Sequence, residues 1–74
     1  MNRLPALNPA QLVRALKTVG FKKVRQNGSH LVLVSQDQRR LVVVPMHKRD
    51  IKRGLLFGIL KSAGLSQREF LELL

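Results

Sequence analysis

The chain has 74 residues, no cysteine, and 14 Lys and Arg against four Asp and Glu, a formal net charge of +10. That length fits a single domain spanning residues 1–74, which buries only about 60 to 65% of its unfolded surface and draws no support from disulfides or a thiolate zinc cage. So large a positive charge calls for a polyanionic partner, nucleic acid before an anionic membrane, because no segment approaches the ~20 apolar residues of a membrane span.

Asn8-Pro9-Ala10-Gln11 reads as a helix start, with Asn at the cap, Pro at the first helical position, and Gln placed to reach back to the cap N–H. Leu12, Val13, Leu16 and Val19 follow at helical spacing, with Arg14 and Lys17 on the other side, and Gly20 ends the helix. Phe21 to Gln26 alternates apolar and basic residues, as an edge strand would. Asn27-Gly28 is a strong hairpin signal, expected as the two central residues of a type I′ turn. A second strand is expected from about His30 to Val34, a polar turn at Gln36-Asp37-Gln38, and a third strand from Arg40 to Val44, ended by Pro45.

Alternation sets His30, Val32 and Val34 on one face of the second strand and Leu31 and Leu33 on the other. Apolar residues on both faces mean either that Val32 and Val34 are covered by a partner chain or a second helix, or that they fill a small core. Leu55 to Ala63 is expected as a second long helix closed by Gly64, and Ser66-Gln67-Arg68-Glu69 is a capping box for a short C-terminal helix bearing Phe70, Leu71 and Leu74. The elements therefore run α-β-β-β-α with a short terminal helix, an α+β arrangement of a three-stranded antiparallel sheet packed by helices.

Two basic blocks flank His30: Arg14, Lys17, Lys22, Lys23 and Arg25 before it, and Arg39, Arg40, Lys48, Arg49, Lys52 and Arg53 after it. With so few acids to neutralise them, phosphate binding is the better reading than a merely solvated surface. The RNA-contacting candidates are Lys22, Lys23, Arg25, Asn27, Ser29, Arg39, Arg40, Lys48 and Arg49. A single glycine between Asn27 and Ser29 does not by itself define a phosphate-binding loop. Aromatics are limited to Phe21, Phe57 and Phe70, which argues against base stacking on several rings.

His30 sits just after the turn, where an imidazole, able both to take and to give a proton, suits proton transfer to or from a ribose 2′-hydroxyl or a leaving 5′-oxygen. Attack of that hydroxyl on the adjacent phosphate needs neither a metal nor a protein nucleophile. By residue type alone, a lone histidine is more often structural than catalytic. A metal centre is not expected, since His30, His47 and the scattered acids Asp37, Asp50, Glu69 and Glu72 make neither a zinc site nor a two-metal carboxylate cluster. Ser29 and His30 form no triad, because adjacent strand residues face opposite ways and no third member is evident.

Four segments share their order and spacing with a known family: Gly20-Phe21, Arg25-Gln26-Asn27-Gly28-Ser29-His30, Val44-Pro45-Met46-His47, and Ile59-Leu60-Lys61-Ser62-Ala63-Gly64-Leu65-Ser66. In these the chain resembles HicA-type mRNA interferase toxins over nearly all of its length after Pro9. The resemblance implies a fold like that of double-stranded RNA-binding domains, cofactor-free cleavage of mRNA with His30 as the catalytic residue, and a HicB-like antitoxin that masks the histidine. His47 fits the family's Val-Pro-x-His pattern and is either a second acid or base or a loop-ordering residue. The usual Gly-Thr-Leu-Arg opening of the second helix stands here as Gly54-Leu55-Leu56-Phe57, which removes a hydroxyl and a cation and leaves Lys52 and Arg53 as substitutes.

The expected activity is thus that of a metal-independent endoribonuclease toxin. The competing reading is a non-catalytic basic RNA-binding module; DNA binding is weaker still, for want of a helix-turn-helix. Met1 to Pro5 carries one charge and no apolar run of signal-peptide length, so a cytoplasmic location is expected and no membrane partner.

Overall fold

The computed structural model describes residues 7–46 and 49–74. The order is α1 (Pro9–Thr18), β1 (Lys22–Asn27), β2 (His30–Val34), β3 (Leu41–Pro45), α2 (Arg53–Ala63) and α3 (Gln67–Glu72). This α-β-β-β-α-α order, with one antiparallel sheet in the order β1-β2-β3, is an α+β fold consistent with a double-stranded RNA-binding domain.

Local chemistry sets most of the boundaries. The Asn8 side chain accepts from the Gln11 N–H at 2.8 Å while the Gln11 side chain accepts from the Asn8 N–H at 3.1 Å, so the expected capping box opens α1. Ser66 and Glu69 make the same reciprocal pair at the start of α3. Gly20 at φ +99° takes the chain out of α1, and Gly64 at φ +76° closes α2 in the left-handed region that a side chain would disfavour. α2 begins at Arg53, two residues before the expected Leu55: its cap, Lys52, offers no side-chain bond, so no polar cap marked the start in the sequence.

The core lies between one face of the sheet and the helices. Leu31, Leu33, Val42 and Val44 from the strands meet Leu12, Leu16, Leu56, Ile59, Leu60 and Phe70, all buried. Each buried Leu or Phe contributes about 1.5–3 kcal/mol of apolar transfer, and such contacts hold a chain without disulfides. An isolated bridge between Leu7 and Ile51 fastens the segment before α1 to the segment before α2. β1 is the edge strand expected over Phe21 to Gln26, but it runs Lys22–Asn27 with all six of its residues exposed, and the apolar contribution comes from Phe21, buried just before the strand. The reason is a register shift between Lys23 and Arg25, which throws Val24 out of the ladder, 56% exposed.

The opposite face of the sheet is a grid of three rows. Lys22, Val34 and Leu41 are paired across the strands in one row, Arg25, Val32 and Val43 in the next, and Asn27, His30 and Pro45 in the last. None of these residues belongs to the core cluster. Val32 is nonetheless only 6% exposed. Its neighbours within the sheet are Arg25 and Val43 across the strands and His30 and Val34 along its own, and the stems of such side chains shield a residue between them.

Candidate functional site

The His30 site is built by a tight hairpin. Asn27 pairs with His30, so the connecting loop is Gly28-Ser29, one residue later than the expected Asn27-Gly28 centre. Of these residues only Gly28 has a positive φ, +56°, the pattern of a type II′ turn with Gly at the first central position. The Gln26 side-chain amide donates to the Gly28 carbonyl at 3.1 Å and braces the turn. Because the loop is only two residues long, His30 is the first residue of β2, exposed at the end of the sheet's open face.

Around it, Asn27 and Pro45 are its direct cross-strand partners on that face. Directly opposed residues have Cβ atoms about 4.5–5.5 Å apart, and diagonal neighbours remain within reach of long side chains. Arg25, one row along on β1, is such a diagonal neighbour, and its guanidinium offers a forked donor for phosphate oxygens. The Met46 N–H donates to the Ser29 carbonyl, which holds the chain leaving β3 against the hairpin. Ser29 is partly buried and, as alternation requires, does not share the face of His30.

The proposed RNA contacts do not all converge. Arg25, Asn27, Ser29 and His30 gather at the hairpin end. Lys22 shares the face of Arg25, Asn27 and His30 at the far end of the sheet, and Lys23 occupies the opposite face. Arg39 and Arg40 adjoin the β2–β3 turn, beyond the Val34–Leu41 pair that is itself four ladder steps from His30, about 13 Å at the usual rise per residue. Arg40 also has a structural position: its guanidinium lies 2.6 Å from where a Cβ on Gly64 would be, against the C-terminal end of α2. A cation there complements the helix dipole. Arg49 is exposed in the segment before α2, while His47 and Lys48 lie outside the described residues.

The sequence reading did not foresee the polar clasp of the β2–β3 turn. The Ser35 hydroxyl donates to the Asp37 carboxylate, the Arg39 N–H donates to the same oxygen at 3.1 Å, and the Arg40 N–H donates to the Ser35 hydroxyl at 3.0 Å. These bonds, the Ser35 hydroxyl foremost, hold the Asp37 carboxyl below its usual range. The spacing Ser-x-Asp before a basic pair was the available signal. No acid lies on any of the three strands, so the open face keeps its positive potential. Among the described residues, no three His, Cys, Asp or Glu side chains gather as metal ligands, and no helix is long and apolar enough to cross a membrane.

Fold and site together define a small basic α+β domain that presents a histidine beside cations on an open sheet face. The family described as HicA toxin of bacterial toxin-antitoxin matches residues 9–65, from the first residue of α1 to just past α2. The chain belongs to this HicA toxin family. No match emerged among curated proteins.

Proposed function

We propose that this toxin is a metal-independent endoribonuclease that cleaves mRNA in the cytoplasm and is restrained by a HicB-like antitoxin. The observation that carries the reading is the exposed His30 at the end of a carboxylate-free sheet face, with Arg25 diagonal to it.

In this mechanism the ribose 2′-hydroxyl attacks the adjacent phosphorus. The O2′–P bond forms as the P–O5′ bond breaks, leaving a 2′,3′-cyclic phosphate and a free 5′-hydroxyl. A ring nitrogen of His30 either takes the 2′-hydroxyl proton or supplies the proton to the departing 5′-oxygen, and water or His47 serves the other transfer. Arg25 binds the phosphate and stabilises the negative charge that grows on its non-bridging oxygens in the transition state. Asn27, Ser29, Lys22, Lys23, Arg39, Arg40, Lys48 and Arg49 extend the RNA track along the sheet and its loops. An antitoxin laid over the open face would exclude RNA and supply acid groups for its cations.

The test is incubation of the purified chain with a labelled single-stranded RNA and its 2′-deoxy counterpart in EDTA. Cleavage of the RNA alone, with a cyclic phosphate terminus, is expected. Tight binding without cleavage would establish a non-catalytic RNA-binding module instead, and equal cleavage of both strands would exclude 2′-hydroxyl chemistry.

A further inference from the structure

The two margins of the sheet are built differently. β1 carries the usual protections of an edge: a register shift at Val24 and the cations Lys22, Lys23 and Arg25. β3, the other margin, reads Leu41-Val42-Val43-Val44-Pro45, with no charge and no bulge. In an antiparallel ladder, hydrogen-bonded and non-bonded pairs alternate. The phase is fixed at both ends, because the Ser35 N–H donates to the Arg40 carbonyl at 2.9 Å and the Met46 N–H donates to the Ser29 carbonyl. Residues 40, 42, 44 and 46 therefore turn their backbone groups to β2. Leu41 and Val43 turn both N–H and C=O outward, and Pro45 only its carbonyl. No turn or loop bond among the described residues engages these groups, and the Leu41 and Val43 side chains are 55% and 39% exposed.

An uncharged β-prone margin of this kind is a template for another strand. A second copy of this chain is a poor occupant, because each copy carries a net charge of +10. Nucleic acid has no strand to add. Arg39 and Arg40 immediately precede the edge. We propose that the β3 edge accepts one extended strand of an acidic protein partner. That strand pairs with the backbone of Leu41 and Val43, packs apolar side chains on theirs, and sets carboxylates against Arg39 and Arg40. The proposal rests on the toxin–antitoxin reading only for the existence of a dedicated protein partner, and it needs no catalytic activity.

The probe is a nine-residue peptide with two glutamates at each end and alternating threonine and valine between them, added to the full isotopically labelled chain. Amide hydrogen exchange at Leu41 and Val43 is the readout. At saturation both amides should exchange at least tenfold more slowly. Backbone N-methylation of the peptide's centre should weaken binding at least tenfold, and so should Val43→Pro, which deletes an outward N–H. The N-methylated peptide keeps the test decisive if that variant fails to fold. Equal binding by hexaglutamate, protection at Lys22 and Arg25 in place of Leu41 and Val43, protection by an RNA oligomer, protection that rises with protein concentration alone, or no binding at millimolar peptide would each overturn the proposal. Scoring RNA cleavage separately keeps the two readings apart: an inactive chain that still protects Leu41 and Val43 refutes the nuclease and leaves the edge proposal standing.

Discussion

Replacing His30 with alanine should separate chemistry from folding. His30 is exposed and is the first residue of β2, outside the core cluster, so its removal leaves no cavity. Exposed substitutions away from caps and cores usually change stability by no more than about 0.5 kcal/mol. For a domain of this length that corresponds to a melting shift within about 2–4 °C. Loss of a general acid or base, by contrast, costs about 10²- to 10⁴-fold in rate, or about 3 to 5.5 kcal/mol of transition-state stabilisation. The assay pairs single-turnover cleavage of labelled RNA in EDTA with a thermal melt of the same preparation. RNA binding should stay within a few-fold of wild type, since the positive charge is carried mainly by Arg and Lys. Unchanged cleavage would remove His30 from the mechanism. A loss of cleavage accompanied by a melting drop of ten degrees or more would show that His30 holds the fold, and the catalytic argument would fail.

Arg25→Ala should flatten the dependence of log K on log salt for single-stranded RNA by about 0.7, the release expected for one lost phosphate contact, in titrations between low and moderate salt. Gly64→Ala should destabilise the chain by about 1 kcal/mol or more, because a left-handed φ of +76° is added to displacement of the Arg40 guanidinium. Gly28→Ala, with nothing within 4 Å of the new Cβ, should cost only the backbone strain, and in denaturant titrations an Arg40→Ala background should lessen the cost of Gly64→Ala while leaving that of Gly28→Ala unchanged. Leu33→Ala should cost about 2–5 kcal/mol at a fully buried position of the central strand, against a total stability of roughly 4 to 11 kcal/mol for a chain this long, and circular dichroism should show a partly unfolded population. Asp37→Ala should lower the melting temperature at neutral pH. Since the folded-state carboxyl titrates below its usual value near 3.8, the stabilisation is full above that value and fades as pH falls through the folded one, so the two melting curves should converge in strong acid.

The sequence determined this protein's elements where the deciding chemistry is local. Asn8 with Gln11 and Ser66 with Glu69 bond within one helical turn, and Gly20 and Gly64 answer a backbone angle at their own positions, so these boundaries were legible before any packing was known. The same holds for the alternation that sets His30 opposite Leu31 and Leu33, since side-chain direction in a strand has a fixed period of two, and for the presence of a hairpin, though pairing of Asn27 with His30 moved its centre from Asn27-Gly28 to Gly28-Ser29. The ordered motifs around Gly28-Ser29-His30 likewise carried the family, which the match over residues 9–65 bears out. Tertiary structure decided the rest. Two apolar faces of β2 cannot be ranked from sequence; the helices chose the side of Leu31 and Leu33, and Val32 stays outside the core cluster. The basic blocks looked like one surface because they flank His30 in the chain, yet β2 holds Arg39 and Arg40 at one end of the sheet and His30 at the other. Register and layer order arise from contacts between residues far apart in sequence. For that reason they fixed which cations lie near His30, and composition could not.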